Sequence, residues 1–66
     1  MQYEITIKDT EKNINLLKRY FSKLEDAKEN YEELLEKYKD KEHILITLFD
    51  SDKQTNIDSY DSDYQI

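Results

Sequence analysis

His43 is the only histidine in a chain that has no cysteine, and those two facts together remove most catalytic chemistry. A zinc site would have to be built mainly from carboxylates, against the usual preference for thiolate and imidazole ligands. The chain also lacks glycine and proline. It can therefore form neither a glycine-rich phosphate loop nor the sharp turn that exposes a hydrolase serine. Carboxylates are abundant, but none sits in an apolar setting that would raise its pKa into the range of a general acid. His43 falls where a strand is expected to begin and reads as a helix-to-strand turn residue. The sequence yields no catalytic residue, no metal ligand set and no cofactor site, and the expectation is a protein that binds and does not catalyse.

What the carboxylates can do is present charge. The net charge is −6, from 16 acidic against 10 basic residues. It is uneven: from Asp50 onward, Asp50, Asp52, Asp58, Asp61 and Asp63 face Lys53 alone. Tyr60 and Tyr64 are interleaved with these acids, and tyrosine is enriched where surfaces make protein contacts. A second array is Glu25, Glu29, Glu32 and Glu36, whose 4-3-4 spacing stacks them in one ridge of a helix. Neighbours in such a ridge repel by a few tenths of a kcal/mol per pair. Glu25–Lys28 and Glu33–Lys37 pairs are expected to relieve part of this. A field of this sign opposes direct contact with nucleic acid or anionic lipid, and it favours a protein partner with a basic surface. The expected contact residues are Asp58, Tyr60, Asp61, Asp63 and Tyr64, with Glu25, Glu29, Glu32 and Glu36 second.

Residues 50–61 partly resemble the calcium loop of EF-hand proteins. Counted from Asp50, acids fall at loop positions 1, 3, 9 and 12, Asn56 at 7 and Ile57 at 8. The pattern departs where that family is strict, with Thr55 in place of the glycine at position 6 and Asp61 in place of the glutamate at position 12. Calcium binding is therefore expected to be weak or absent.

The elements that must carry these side chains read as a single α+β domain spanning 1–66, with an acidic segment over 50–66. Tyr3, Ile5 and Ile7 alternate with polar residues, the period of a half-buried strand. From Ser22 to Lys41 the apolar residues Leu24, Ala27, Tyr31, Leu34, Leu35 and Tyr38 share one helical face. Ser22 and Glu25 have the spacing of a capping box, which places the helix start at Ser22 or Lys23. His43 to Asp50 holds a strongly apolar run typical of a central strand, and Thr55 to Tyr60 reads as a short edge strand. Residues 14–21 admit two readings. They make a second strand hairpinned to the first (ββαββ), or they extend the helix backwards (β–long helix–ββ), since Leu16, Leu17, Tyr20 and Phe21 stay in phase with the later face. A helix from Thr10 to Asp40 would run about 45 Å at ~1.5 Å per residue. That is far beyond strands of about 25 Å. An antiparallel sheet packed on one helix, ββαββ, is the favoured architecture. No internal repeat or low-complexity tract appears. The expected core is Ile5, Ile7, Leu24, Tyr31, Leu35, Ile44, Ile46 and Leu48.

A domain of 66 residues buries a modest share of its surface, and without cysteine it has no disulfide staple. Homodimerisation is one expected remedy. No stretch approaches the ~20 apolar residues of a membrane span, and no export signal precedes the first strand, so a cytoplasmic protein with no membrane contact is expected.

Taken together, the short length, the aspartates of 50–63 and the glutamate ridge 25–36 give the chain a resemblance in style to the small acidic inhibitors that phages and mobile elements direct against host defence. Anti-CRISPR and anti-restriction proteins that mimic DNA belong to that class. It shares no diagnostic motif, so the resemblance transfers no residue roles. It implies an inhibitor acting in the host cytoplasm that occupies the nucleic-acid-binding surface of an effector such as a CRISPR nuclease. The other reading is a dimeric regulatory or structural accessory protein whose acids serve solubility.

Overall fold

The computed structural model describes residues 2–64, apart from the side chain of Tyr64. The chain runs β1 (Tyr3–Asp9), β2 (Ile14–Phe21), α1 (Leu24–Tyr38), β3 (Ile44–Asp50) and β4 (Thr55–Asp61), and ends in a short 3-10 turn over Ser62–Tyr64. The four strands form one antiparallel sheet in the order β2-β1-β3-β4. This is the ββαββ arrangement, and residues 14–21 are a strand. The long-helix alternative would have left an apolar face in water, whereas as a strand Leu17 and Phe21 pack on the core.

Strand alternation decides what is inside. Tyr3, Ile5 and Ile7 of β1 and Ile44, Ile46 and Leu48 of β3 point to one face, where they meet Ala27, Tyr31 and Leu34 of α1. Each layer has only the other to bury against. Leu24 and Leu35, expected inside, are partly buried at the rim, and the deeper helix positions are Ala27 and Leu34. Among the described residues the opposite face of the sheet carries no second layer. Tyr20, Leu45 and Phe49 stand there among Glu4, Thr6, Lys8, Lys18, Ser59 and Asp61, and a Lys18–Glu4 ion pair of 3.3 Å spans it.

The helix begins later than the serine signal suggests. Its N-cap is Lys23, in extended conformation and without a side-chain cap, and the first bond runs from the Ala27 amide to the Lys23 carbonyl at 3.1 Å. Ser22 lies one residue too early for its hydroxyl to reach the free amides, while Glu25 and Asp26 in the first turn meet the positive end of the helix dipole. Ser22→Ala should therefore leave the denaturation midpoint almost unchanged. Lys23→Asp should raise stability by about 0.5–2 kcal/mol by supplying the missing cap, as chemical denaturation can measure.

The sequence does contain an internal repeat. Residues 5–16 read Ile-Thr-Ile-Lys-Asp-Thr-Glu-Lys-Asn-Ile-Asn-Leu, and residues 46–57 read Ile-Thr-Leu-Phe-Asp-Ser-Asp-Lys-Gln-Thr-Asn-Ile. The structure repeats with them. Asp9 Oδ1 accepts the amides of Glu11 and Lys12, and Asp50 Oδ1 those of Asp52 and Lys53, all at 3.0–3.2 Å. Asn13 and Gln54, at the equivalent ends of the two turns, both take the left-handed conformation, with φ of 59° and 55°. These aspartate-closed turns do the work usually given to glycine in hairpin loops. Leu16 and Ile57, again equivalent, are the extra residues of two β-bulges. Thr6 and Thr47 correspond in the repeat and face each other across the β1–β3 seam. The two hairpins are thus related by an approximate twofold axis normal to the sheet. The repeat escapes a scan for apolar period because its identities are mostly polar.

Candidate functional site

The acidic residues singled out by type and spacing are placed on three different aspects of the molecule. Glu25, Glu29, Glu32 and Glu36 all lie exposed along α1. On that ridge Glu36 accepts from Lys39 Nζ at 2.7 Å. The expected Glu25–Lys28 and Glu33–Lys37 pairs do not form among the described residues; Lys37 instead stands 5.8 Å from the ring centre of Tyr38. Asp58 points to the helix side of β4, opposite Leu48, and shares a groove with Glu32. Tyr60 points the same way and packs against the core, which makes it an anchor of the edge strand.

Asp61 lies three residues from Asp58, an odd step along a strand, so it faces the uncovered side of the sheet, opposite Leu45. Asp63 belongs to the short turn after β4. The backbone of Tyr64 closes that turn, and the expected contact of its side chain lies outside the described residues. The fold thus gathers the glutamate ridge and Asp58 on one side and separates them from Asp61 and Asp63.

The twelve residues with calcium-loop spacing form no loop. They are the end of β3, a four-residue turn and β4. Asp50 is buried and spends its carboxylate on turn amides, while Asp58 and Asp61 point to opposite faces. Among the described residues no group of three or more His, Cys, Asp or Glu is placed to hold a metal ion. No helix among them is long and apolar enough to cross a membrane.

His43 is a turn residue, as its position implies, with φ of 58°, but it also ties three segments together. Its Nδ1 lies 3.0 Å from Asp63 Oδ1 and its Nε2 3.2 Å from Glu11 Oε2. The Thr10 hydroxyl donates to Asp63 Oδ2 at 3.0 Å, and the Thr10 amide to the His43 carbonyl at 2.9 Å. The hydrogen bond to Asp63, with the charges of Asp63, Glu11 and Glu42, raises the imidazole above its ordinary value of 6.5. The Thr10 hydroxyl first, then His43, holds the Asp63 carboxyl below its ordinary 3.8. A single histidine among many surface acids gives no sequence signal for this cluster, because its members come from the two ends and the middle of the chain.

The linkage gives a sign. A raised imidazole pKa contributes stability that is present in full below pH 6.5 and lost as pH rises through the higher folded value. The lowered carboxyl contributes above pH 3.8 and is lost as pH falls through its folded value. The melting temperature should accordingly fall as pH is raised from 6 to 8, and His43→Asn, which suits the left-handed backbone, should flatten that slope. An unchanged slope in the variant would show that the decline has another source.

No family model, curated protein or solved structure matches this chain. The chemistry of the helix-side acidic face therefore has to carry the functional argument.

Proposed function

We propose that this chain is a protein-binding inhibitor that occupies a basic, nucleic-acid-binding surface on a host defence effector, such as a CRISPR or restriction nuclease, by acidic mimicry of DNA. The observation that carries this reading is the helix-side face, where four glutamates lie exposed along α1 and one of them, Glu32, shares a groove with Asp58 of β4. Regularly spaced carboxylates on a rigid helix offer charge-assisted acceptors to arginines that otherwise bind phosphate. They exclude DNA from that groove by competition, with no catalytic step. The test is displacement of a labelled duplex from purified DNA-handling nucleases across a salt series. Displacement near 0.1 M salt that disappears toward 1 M supports the reading, because exposed charges are screened within ~3 Å at the higher concentration. Failure to displace DNA from any effector at low salt overturns it.

A second reading, a homodimeric accessory protein, is favoured by the uncovered sheet face with Tyr20, Leu45 and Phe49, and by exposed Ile14 and Leu16 on the β2 edge. Sedimentation across the same salt series separates the two. Apolar self-association would persist or strengthen at high salt, where mimicry fails.

A further inference from the structure

The helix lies over β1, β2 and β3 and leaves β4 largely uncovered, which opens a groove of about 280 Å³ between α1 and β4. Its apolar part is Leu35, Leu48 and Ile57, and its polar groups are Tyr31, Glu32, Asp58 and Lys28. That volume is below the range of sites for cofactors and drug-sized ligands and suits one long side chain. Tyr31 supplies the independent pointer to a ligand. It is 4% exposed, and its hydroxyl has no hydrogen-bond partner among the described residues. No buried side-chain oxygen or nitrogen among those residues is left unsatisfied, so this hydroxyl must open onto the solvent of the groove. Burial first, and then the nearby Asp58 charge, push the phenol up to about 12. The phenol is a neutral O–H that can both donate and accept.

We infer that this groove receives the side chain of an arginine from a basic partner protein. The inference rests on the proposed reading of the acidic face and names where that face is anchored. An arginine has an aliphatic stem to lie along Leu35 and Ile57 and a planar fork of donors for Asp58, Glu32 and the Tyr31 oxygen. A lysine fits less well, since its compact ammonium is more strongly hydrated and offers no fork to divide between two carboxylates. Lys28 makes no ion pair among the described residues, but its charge at the rim competes with an incoming cation.

The probe is a nine-residue arginine peptide, compared with a nine-residue lysine peptide of equal charge, each titrated into the ¹⁵N-labelled full chain at 0.1 M salt. The arginine peptide should move the amide signals of Leu35, Ile57 and Asp58 and bind more tightly than the lysine peptide. Asp58→Asn should weaken the arginine peptide by about tenfold or more, Tyr31→Phe should narrow the preference for arginine, and Lys28→Gln should tighten binding. Asp61→Asn, on the far side of the sheet, should change little, and each variant's spectrum reports whether it is folded. Equal binding of both peptides, with shifts spread along Glu25, Glu29 and Glu36 and no effect of Asp58→Asn, would overturn the groove while leaving the acidic-face reading intact. Binding of neither peptide would overturn both.

Discussion

Ile46→Ala should unfold most of the population at 25 °C. Ile46 is fully buried at the centre of β3, paired with Ile7 on one side and Tyr60 on the other, beneath the helix. Removing a buried isoleucine to alanine costs about 2–5 kcal/mol, the lost transfer energy plus the cavity left behind. A domain of 66 residues without a disulfide has little more than that to lose. Urea denaturation followed by circular dichroism should show the cooperative transition displaced toward zero denaturant. Leu35→Ala, at the rim of the core, should cost less than the same change at Leu34, which is buried. Equal losses at the two helix positions would mean that α1 sits on the sheet differently.

The largest effect on binding should come from neutralising the helix-side face as a unit. Glu25→Gln, Glu29→Gln, Glu32→Gln and Asp58→Asn together keep side-chain size and hydrogen-bonding capacity but remove four charges from one side of the fold. A hydrogen bond to a charged group contributes roughly 1.5–3 kcal/mol, so losing several should weaken binding to a DNA-displacing target by several orders of magnitude. Folding should change little, because relief of repulsion between neighbours on the ridge offsets the lost interaction of Glu25 with the helix dipole. The contrasting variant, Asp61→Asn with Asp63→Asn, changes charges on other aspects of the molecule and should weaken binding by much less. If that pair proves as damaging as the quadruple change, the contact runs around the end of β4 and the helix face is not its centre. Both variants can be read in the same duplex-displacement titration.

The elements of the fold follow from the sequence where one physical signal dominates. Tyr3, Ile5 and Ile7 have the period of a one-faced strand, and Ile44 to Phe49 is too short and too rich in β-branched residues for a surface helix. Residues 14–21 are harder. Leu16, Leu17, Tyr20 and Phe21 keep the helical period, because a β-bulge at Leu16 interrupts the alternation that would have marked them as a strand. The helix start is misplaced by a serine that has the right spacing but lies outside the first turn. The acidic segment divides for a reason that strand geometry supplies directly. Asp58 and Asp61 are an odd number of residues apart, so once 55–61 is a strand they cannot share a face. The proximity of Glu32 to Asp58, and the tie of Thr10 and Glu11 through His43 to Asp63, depend on how a helix and two turns are laid across the sheet, which no local pattern encodes.

The paired hairpins divide the sheet into two equivalent halves. One hairpin is half of this sheet, its counterpart across the twofold seam is the other half, and α1 is the linker that joins the two in one chain. The turns at 10–13 and 51–54 share their aspartate-closed geometry, while the outer strands differ in charge. Lys18 and Arg19 mark one edge of the sheet, and Asp58 and Asp61 mark the other. The repeated hairpins give the sheet two equivalent margins, and the opposite charges on those margins can be changed without disturbing the core.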